Sequence, residues 1–349
     1  METTFNTVTE NLRDCGLTVL ELPTGKGGLI AFLPEFGRVI GIWTSPEESS
    51  LLWCNPDFPE AVKSGSLLDI SNWANPGGDR LWLSPERDFF ISDHSDPWGT
   101  YAVPRCMDPG DYTYIADENT IRMNNAGVIK GYESDSETTF KVSRLFRPLE
   151  ESELTVVCND PSVCSSGYEE EISMELTNGV PTPISFWNLT QVPKGGTVMM
   201  GIADGVPDVV EYIGETGECV GDSCNGLLPV TFDGSNQYKI GLIAKDSSGF
   251  LAYLCNDTLL IRTFNIDPGA DYIDIPPDGR PGEPCPVQLY YGGDTYNFGE
   301  LEYHSCALST PDNTLELNGI SRLYAFRGPE VNLLQVLNNF RDTHTGNKD

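Results

Sequence analysis

Glu300, Glu302 and His304 stand at every second position of the segment YNFGELEYHSCA (296–307), with Leu301 and Tyr303 between them. Side chains of an extended strand alternate between its two faces. This spacing therefore puts two carboxylates and an imidazole on one face and an apolar pair on the other. Such a face is either solvated or lines a cleft where protons move and hydroxyls are recognised. Histidine titrates near neutrality and a carboxylate serves as base or hydrogen-bond acceptor, so Glu302, Glu300 and His304 are candidate catalytic groups. Of the two other histidines, His94 lies in a polar DHSD loop and joins the candidates. His344, in the THTGNKD tail, reads as solvated.

A second chemistry-bearing stretch is NWANPGGDRLWLSPERDFFISDHSDPWG (72–99). Its Pro76-Gly77-Gly78 turn is followed closely by Asp79, Arg80, Trp82 and Glu86, and Trp73 and Trp98 add further indoles. Aromatic rings cover the C–H faces of a sugar while neighbouring polar groups bond its hydroxyls. Arg80 forks onto a carboxylate in one of two settings: a buried brace with Glu300 or Glu302, or a substrate contact. In ISFWNLTQVPKGG (184–196), Trp187, Asn188 and Gln191 are further candidate substrate contacts. Asn188 and Asn256 each head an N-x-T sequon, read as chance without a secretory signal. Asp79, Glu86, Glu300 and His304 also form a donor set for calcium or a transition metal. No calcium-loop or zinc-helix spacing accompanies them, so neither a metal nor a cofactor is expected.

The elements that must position these residues are mostly strands. LTVLEL (17–22), GLIAFL (28–33) and RVIGIW (38–43) are followed by TTFKVSRLF, EISMELTN, QYKIGLIAK, GFLAYL and LLIRTFNI, all separated by turn residues. Strands without regular intervening helices predict an all-β fold, a large antiparallel sandwich or a barrel. Phe5, Val8 and Leu12, ended by Gly16, predict a short helix over about 4–14. Val331, Leu334, Val336 and Leu337 predict another over about 329–341, so both termini are helical. TLELNG followed by SRLYAF predicts a hairpin turning at Asn318-Gly319. Loops rich in Pro and Gly decorate the rim and none reads as a linker, so 1–349 is expected to be one domain.

The chain carries 52 Asp and Glu against 21 Lys and Arg, a formal charge of -31. That surface repels phosphate backbones and anionic bilayers, so neither nucleic acid nor membrane is an expected partner. No run approaches the roughly 20 apolar residues of a membrane span. METTFNTVTENLRDCG lacks the basic and apolar regions of a signal peptide, which predicts a soluble, cytoplasmic protein as numbered and a secreted one if a signal was removed. Ten cysteines are read as free thiols, with loop disulfides at Cys158/Cys164 and Cys219/Cys224 as the alternative.

GGDRLWLSPE, SFWNLTQVPKGG, YKIGLIAKDSSGFLAYL and FGELEYHSCAL occur in that order. Together they resemble a bacterial family related to the aldose 1-epimerase (galactose mutarotase-like) superfamily, from about Gly28 to Phe326. The resemblance implies a β-supersandwich, a large antiparallel sandwich whose concave face binds a small carbohydrate or glycan. It also implies epimerase (isomerase) chemistry, with a carboxylate base on the anomeric hydroxyl and a histidine acid at the ring oxygen. The segment resembling the family's histidine strand reads FWNLTQV, with Gln191 near the histidine's place. STPDNTLELNG holds Glu316 without the family's Pro-Gly-Glu run. A glutamine does not exchange protons at neutral pH, so the acid would come from His304 or His94. Glu302 would be the base, and Arg80 would fix a hydroxyl or carboxylate of an aldose or sugar acid. Two alternatives stand beside this reading: a non-catalytic carbohydrate-binding protein, and a polysaccharide lyase or hydrolase working through paired carboxylates.

Overall fold

Stretches of alternating side chains between Gly, Pro and Asn turns become eighteen strands in the computed structural model, which describes residues 3–65, 75–177, 182–203, 205–308 and 315–346. In chain order they are β1 (Leu20–Pro23), β2 (Leu29–Leu33), β3 (Arg38–Trp43), β4 (Asp79–Ser84), β5 (Thr113–Ala116), β6 (Ile121–Gly131), β7 (Ser136–Pro148), β8 (Cys164–Thr177), β9 (Ser185–Pro193), β10 (Thr197–Ile202), β11 (Val209–Ile213), β12 (Leu227–Thr231), β13 (Tyr238–Leu242), β14 (Ser247–Cys255), β15 (Thr258–Phe264), β16 (Val287–Tyr291), β17 (Phe298–His304) and β18 (Leu315–Arg327). Among the described residues five α-helices join them: α1 (Phe5–Asp14), α2 (Phe58–Ser64), α3 (Glu86–Phe90), α4 (Glu151–Val157) and α5 (Glu330–Gly346). None of the described helices is long and apolar enough to cross a membrane.

The strands form two nine-stranded antiparallel sheets, which makes the fold the sandwich rather than the barrel of the two expected shapes. One runs β1-β2-β3-β4-β9-β17-β16-β13-β11, the other β12-β10-β14-β15-β18-β8-β7-β6-β5. Rings interlock between them: Phe32 meets Phe146 at 5.2 Å and Tyr303 stacks on Phe264 at 4.6 Å. Burial of such side chains contributes about 1.5–3 kcal/mol each and drives the two faces together. Within this interior, Arg144 and Arg262 from the second sheet bind Asp79 of the first and Glu170 of their own, all four side chains at most 1% exposed.

Local readings fare unevenly. Helix α1 lies where expected, capped by the Thr4 hydroxyl and closed by Gly16 at φ 82°. Helix α5 runs further than expected and buries a different stripe. Leu333, Val336, Leu337 and Phe340 pack inward, while Val331 is 73% exposed, because Phe340 extends an i, i+3, i+4, i+7 pattern that starts at Leu333. The hairpin at Asn318-Gly319 is not formed. β18 passes straight through, Gly319 pairing with Ile172. Glycine is required there for another reason: a Cβ would come within 2.5 Å of the Phe186 ring. All ten cysteines are unpaired. His344 is not simply solvated: it stacks on Phe340 and hydrogen-bonds the Ser248 carbonyl oxygen.

Candidate functional site

Strand register decides which residues share a face. Gln191 of β9 stands opposite Glu300 of β17, which stands opposite Tyr290 of β16, which in turn faces Lys239 of β13. One step along, Arg80 of β4, Leu189, Glu302 and Gln288 form the next row. Trp82, Trp187 and His304 form the third. All these side chains project from the face of the first sheet that turns away from the second. Strands β4, β9 and β17 are nonetheless buried on both sides almost throughout. A polar face under cover costs stability unless its groups pair, and most of these do.

Arg80 Nη2 lies 2.8 Å from Glu300 Oε1, which also accepts from Gln191 Nε2 at 2.7 Å. The guanidinium rests 4.1 Å over the Trp82 ring. Trp82 is itself held through Nε1, which donates to Asp108 Oδ2 at 3.1 Å, and Arg38 Nη2 donates to that same oxygen at 2.6 Å. Beside this pair, Lys239 Nζ bridges Glu86 Oε2 at 3.0 Å and Glu302 Oε2 at 3.2 Å, 4.3 Å over the Trp187 ring. Trp187 Nε1 donates to Glu302 Oε2 at 2.9 Å. Tyr101 donates its phenol to Glu86 Oε1. His304 stacks on Trp187, its Nδ1 3.2 Å from Ser84 Oγ and its Nε2 3.9 Å from Asp274 Oδ2. Asp274, from the loop after β15, accepts from Gln288 Nε2 and the Glu86 backbone N–H.

Three carboxyl groups thus crowd one ammonium, and burial penalises each charge. Burial pushes Glu302 up to about 8; the Lys239 ammonium opposes this, and Glu300 and Glu86 reinforce it. Burial raises Asp274 as well, against the pull of Lys239. Burial, helped by Lys239, holds His304 well below its ordinary 6.5, so the imidazole is neutral. For Lys239 burial acts downward, but Glu302 and Glu86 outweigh it and the ammonium persists.

These shifts make a stability prediction. Glu302 holds its proton more tightly folded than unfolded, so its contribution is complete below about 4.5 and lost as pH rises towards 8. Asp274 acts with the same sign. His304, depressed when folded, costs stability only as pH falls below 6.5. Between pH 6.5 and 8 the unfolding free energy should therefore fall by about 2 kcal/mol, with much of that slope absent in E302Q. Urea denaturation at the two pH values measures it; equal slopes in both proteins would contradict the assignment.

Of the residues singled out from sequence, Arg80, Trp82, Glu86, Trp187, Gln191, Glu300, Glu302 and His304 come together. Asp79 and Asn188 do not. They point into the sandwich interior, where Asp79 binds Arg144 and Arg262 and accepts from Thr190 and Asn188. Adjacent strand residues take opposite faces, so Asp79 could not share one with Arg80. His94 hydrogen-bonds the Arg87 carbonyl oxygen in a surface turn. Trp98, 49% exposed, meets the Tyr101 ring at the rim, and Trp73 lies outside the described residues. Glu300, not Glu302, pairs with Arg80, and Glu302 is held by Lys239 rather than left unengaged. Among the described residues no group of three or more His, Cys, Asp or Glu is arranged to hold a metal ion.

The sequence reading missed Lys239, Asp274, Tyr101 and Gln288. A lone lysine inside the apolar run YKIGL was a usable signal for Lys239; nothing local marks Asp274. These side chains are also buried more deeply than a cleft open to solvent would leave them: Arg80 is 3% exposed, Glu300 6% and Glu302 0%. Lys239 fills the space between Glu86 and Glu302, and Tyr101 closes over Glu86. The half-buried rings of Tyr101, Tyr290 and Trp53 mark the edge nearest solvent. A surface cavity of about 620 Å³ beside β11, lined by Val209, Glu211, Thr216 and Arg280 among others, includes none of these residues.

No family model matches the chain, and no curated protein matches it in sequence. Solved structures do match. A protein from Escherichia coli K12, provisionally assigned as an aldose 1-epimerase, superposes with a TM-score of 0.54 at 12% identity, over 89% of this chain and 99% of that one. A galactose mutarotase-like protein from Lactobacillus casei ATCC 334 aligns with 88% of this chain and 100% of its own, at 7% identity and a TM-score of 0.48. At 12% identity the first likeness shows the fold, and that fold is the galactose mutarotase-like sandwich anticipated above.

Proposed function

We propose that this protein binds a free sugar at the Arg80–Glu300 edge of the first sheet and interconverts its anomers by acid/base catalysis through Glu302. The observation that carries the reading is the convergence on one sheet face of a clamped guanidinium–carboxylate pair, a carboxyl that titrates near neutrality and a neutral imidazole. Glu302 takes the proton of the anomeric hydroxyl as the C1–O5 bond opens, and the ring oxygen is protonated by Asp274, which burial disposes to hold a proton, whereas the neutral His304 has none to give. Four carboxyl groups (Glu86, Glu300, Glu302 and Asp274) stand against two cations, Arg80 and Lys239. Arg80 is engaged by Glu300 and Lys239 by Glu86 and Glu302, an arrangement that favours a neutral aldose over a sugar acid. It also argues against glycoside hydrolysis, because Lys239 Nζ occupies the gap that a sugar ring would need between Glu86 and Glu302.

Exchange NMR on a panel of free aldoses tests the proposal. Wild type should accelerate α/β interconversion of at least one sugar, and E302Q should lose about 100-fold or more of that rate, the scale of general-base catalysis. Wild type equal to E302Q for every sugar would remove the catalytic reading. Recognition without turnover is the second reading, favoured by Gln191, which exchanges no proton, standing near the place of the family's histidine and donating to Glu300. A sugar that raises the melting temperature without exchange would select it, and no response from any sugar would dismiss both.

A further inference from the structure

Glu302 is held asymmetrically. Its Oε2 receives both the Lys239 ammonium at 3.2 Å and the Trp187 indole N–H at 2.9 Å, while Oε1 has no hydrogen-bond partner among the described residues. Trp187 offers no face to a ligand: Lys239 lies over its ring, His304 stacks on it, and Trp82 and Phe90 pack against it. It is 1% exposed. Lys239 is fixed in turn by Glu86, which is itself held by Tyr101.

We infer that Lys239 and Trp187 are positioning residues that grip Glu302 through Oε2, so that Oε1 is the atom presented to a substrate hydroxyl. This rests on the sugar-site reading above, but the grip itself can be measured without a sugar. A buried carboxylate with neither donor would rotate and would keep its proton to still higher pH. With both donors on one oxygen, the other is aimed and the charge is tolerated. The titratable and charged groups facing Glu302 are Glu86 from α3, Arg80 from β4, Glu300 and His304 from β17, Tyr290 from β16, Lys239 from β13 and Asp274 from the loop after β15. Lys239 is the cation in contact with it.

The Trp187 indole N–H is a built-in reporter, since its hydrogen bond ends on the titrating group. Six tryptophans give six indole ¹⁵N–¹H resonances, and W187F identifies the relevant one. That resonance should titrate in wild type with a midpoint near 8, and the step should vanish in E302Q. K239M should move the midpoint up by about 1–3 pH units, the effect of losing an opposite charge at this range, and K239R should bring it back. Should K239M not fold, the wild-type Lys239 ammonium resonance decides, because it must show an inflection at the same midpoint. A flat Trp187 titration, an unchanged midpoint in K239M, or a Lys239 resonance blind to the Trp187 step would each overturn the inference. A failure here leaves sugar binding standing, and a failure of the sugar experiments leaves these titrations standing.

Discussion

Replacing Arg144 with methionine is expected to lower the unfolding free energy by about 3–5 kcal/mol, the cost of breaking a buried ion pair from one side. Arg144 Nε lies 2.6 Å from Glu170 Oε1, Nη1 donates to the Gly37 carbonyl oxygen at 2.7 Å, and Nη2 binds Asp79. Without it, Asp79 and Glu170 face Arg262 alone and one negative charge is left uncompensated between the sheets. The network joins β4, β7, β8 and β15, so the loss falls on sheet-to-sheet docking. Removing a carboxylate as well, in the D79N/R144M double variant, should recover part of the loss and make the two changes non-additive. Chemical denaturation of wild type, the two single variants and the double variant gives the numbers. A loss within the 0.5 kcal/mol or so of an ordinary surface substitution would mean that the network carries little.

Gly78→Ala is the second large effect, at about 3 kcal/mol from a left-handed backbone combined with overpacking. Gly77 and Gly78 adopt φ 96° and 77°. A Cβ on Gly78 would stand 2.0 Å from the Val39 carbonyl oxygen, and one on Gly77 would stand 2.4 Å from that of Trp53. Both obstacles are backbone, so no rotamer change relieves them. The turn is pinned by Gly78 N–H to Trp53 O at 2.8 Å and by Gln191 N–H to Gly78 O at 2.9 Å. It delivers Arg80 two residues later, so G78A should weaken any ligand response along with stability. Denaturation of G78A beside a sugar thermal-shift series checks both; wild-type stability would refute the steric argument.

The charge crowding around Lys239 explains why such a site sits under cover. In water the four carboxyl groups would be ionised and inert as acids. Burial raises Glu302 into the range where it can give or take a proton at neutral pH, and Lys239 limits how far it goes. Stability lost between pH 6.5 and 8 is the thermodynamic cost of that tuning.

By itself the sequence determined the fold class, the helical ends and the common face of Glu300, Glu302 and His304. Each of these follows from local rules: turn residues end strands, and side chains alternate along them. The same alternation already separates Asp79 from Arg80 and Asn188 from Trp187, although residue type alone suggested a shared site. Only the tertiary structure decided that Glu300 takes Arg80 while Glu302 takes Lys239, that Asp274 joins His304, and that these side chains are buried. Those outcomes depend on strand register across β4, β9, β17, β16 and β13, and on a distant loop. Electrostatic partners are chosen by distance in space, which sequence spacing does not encode.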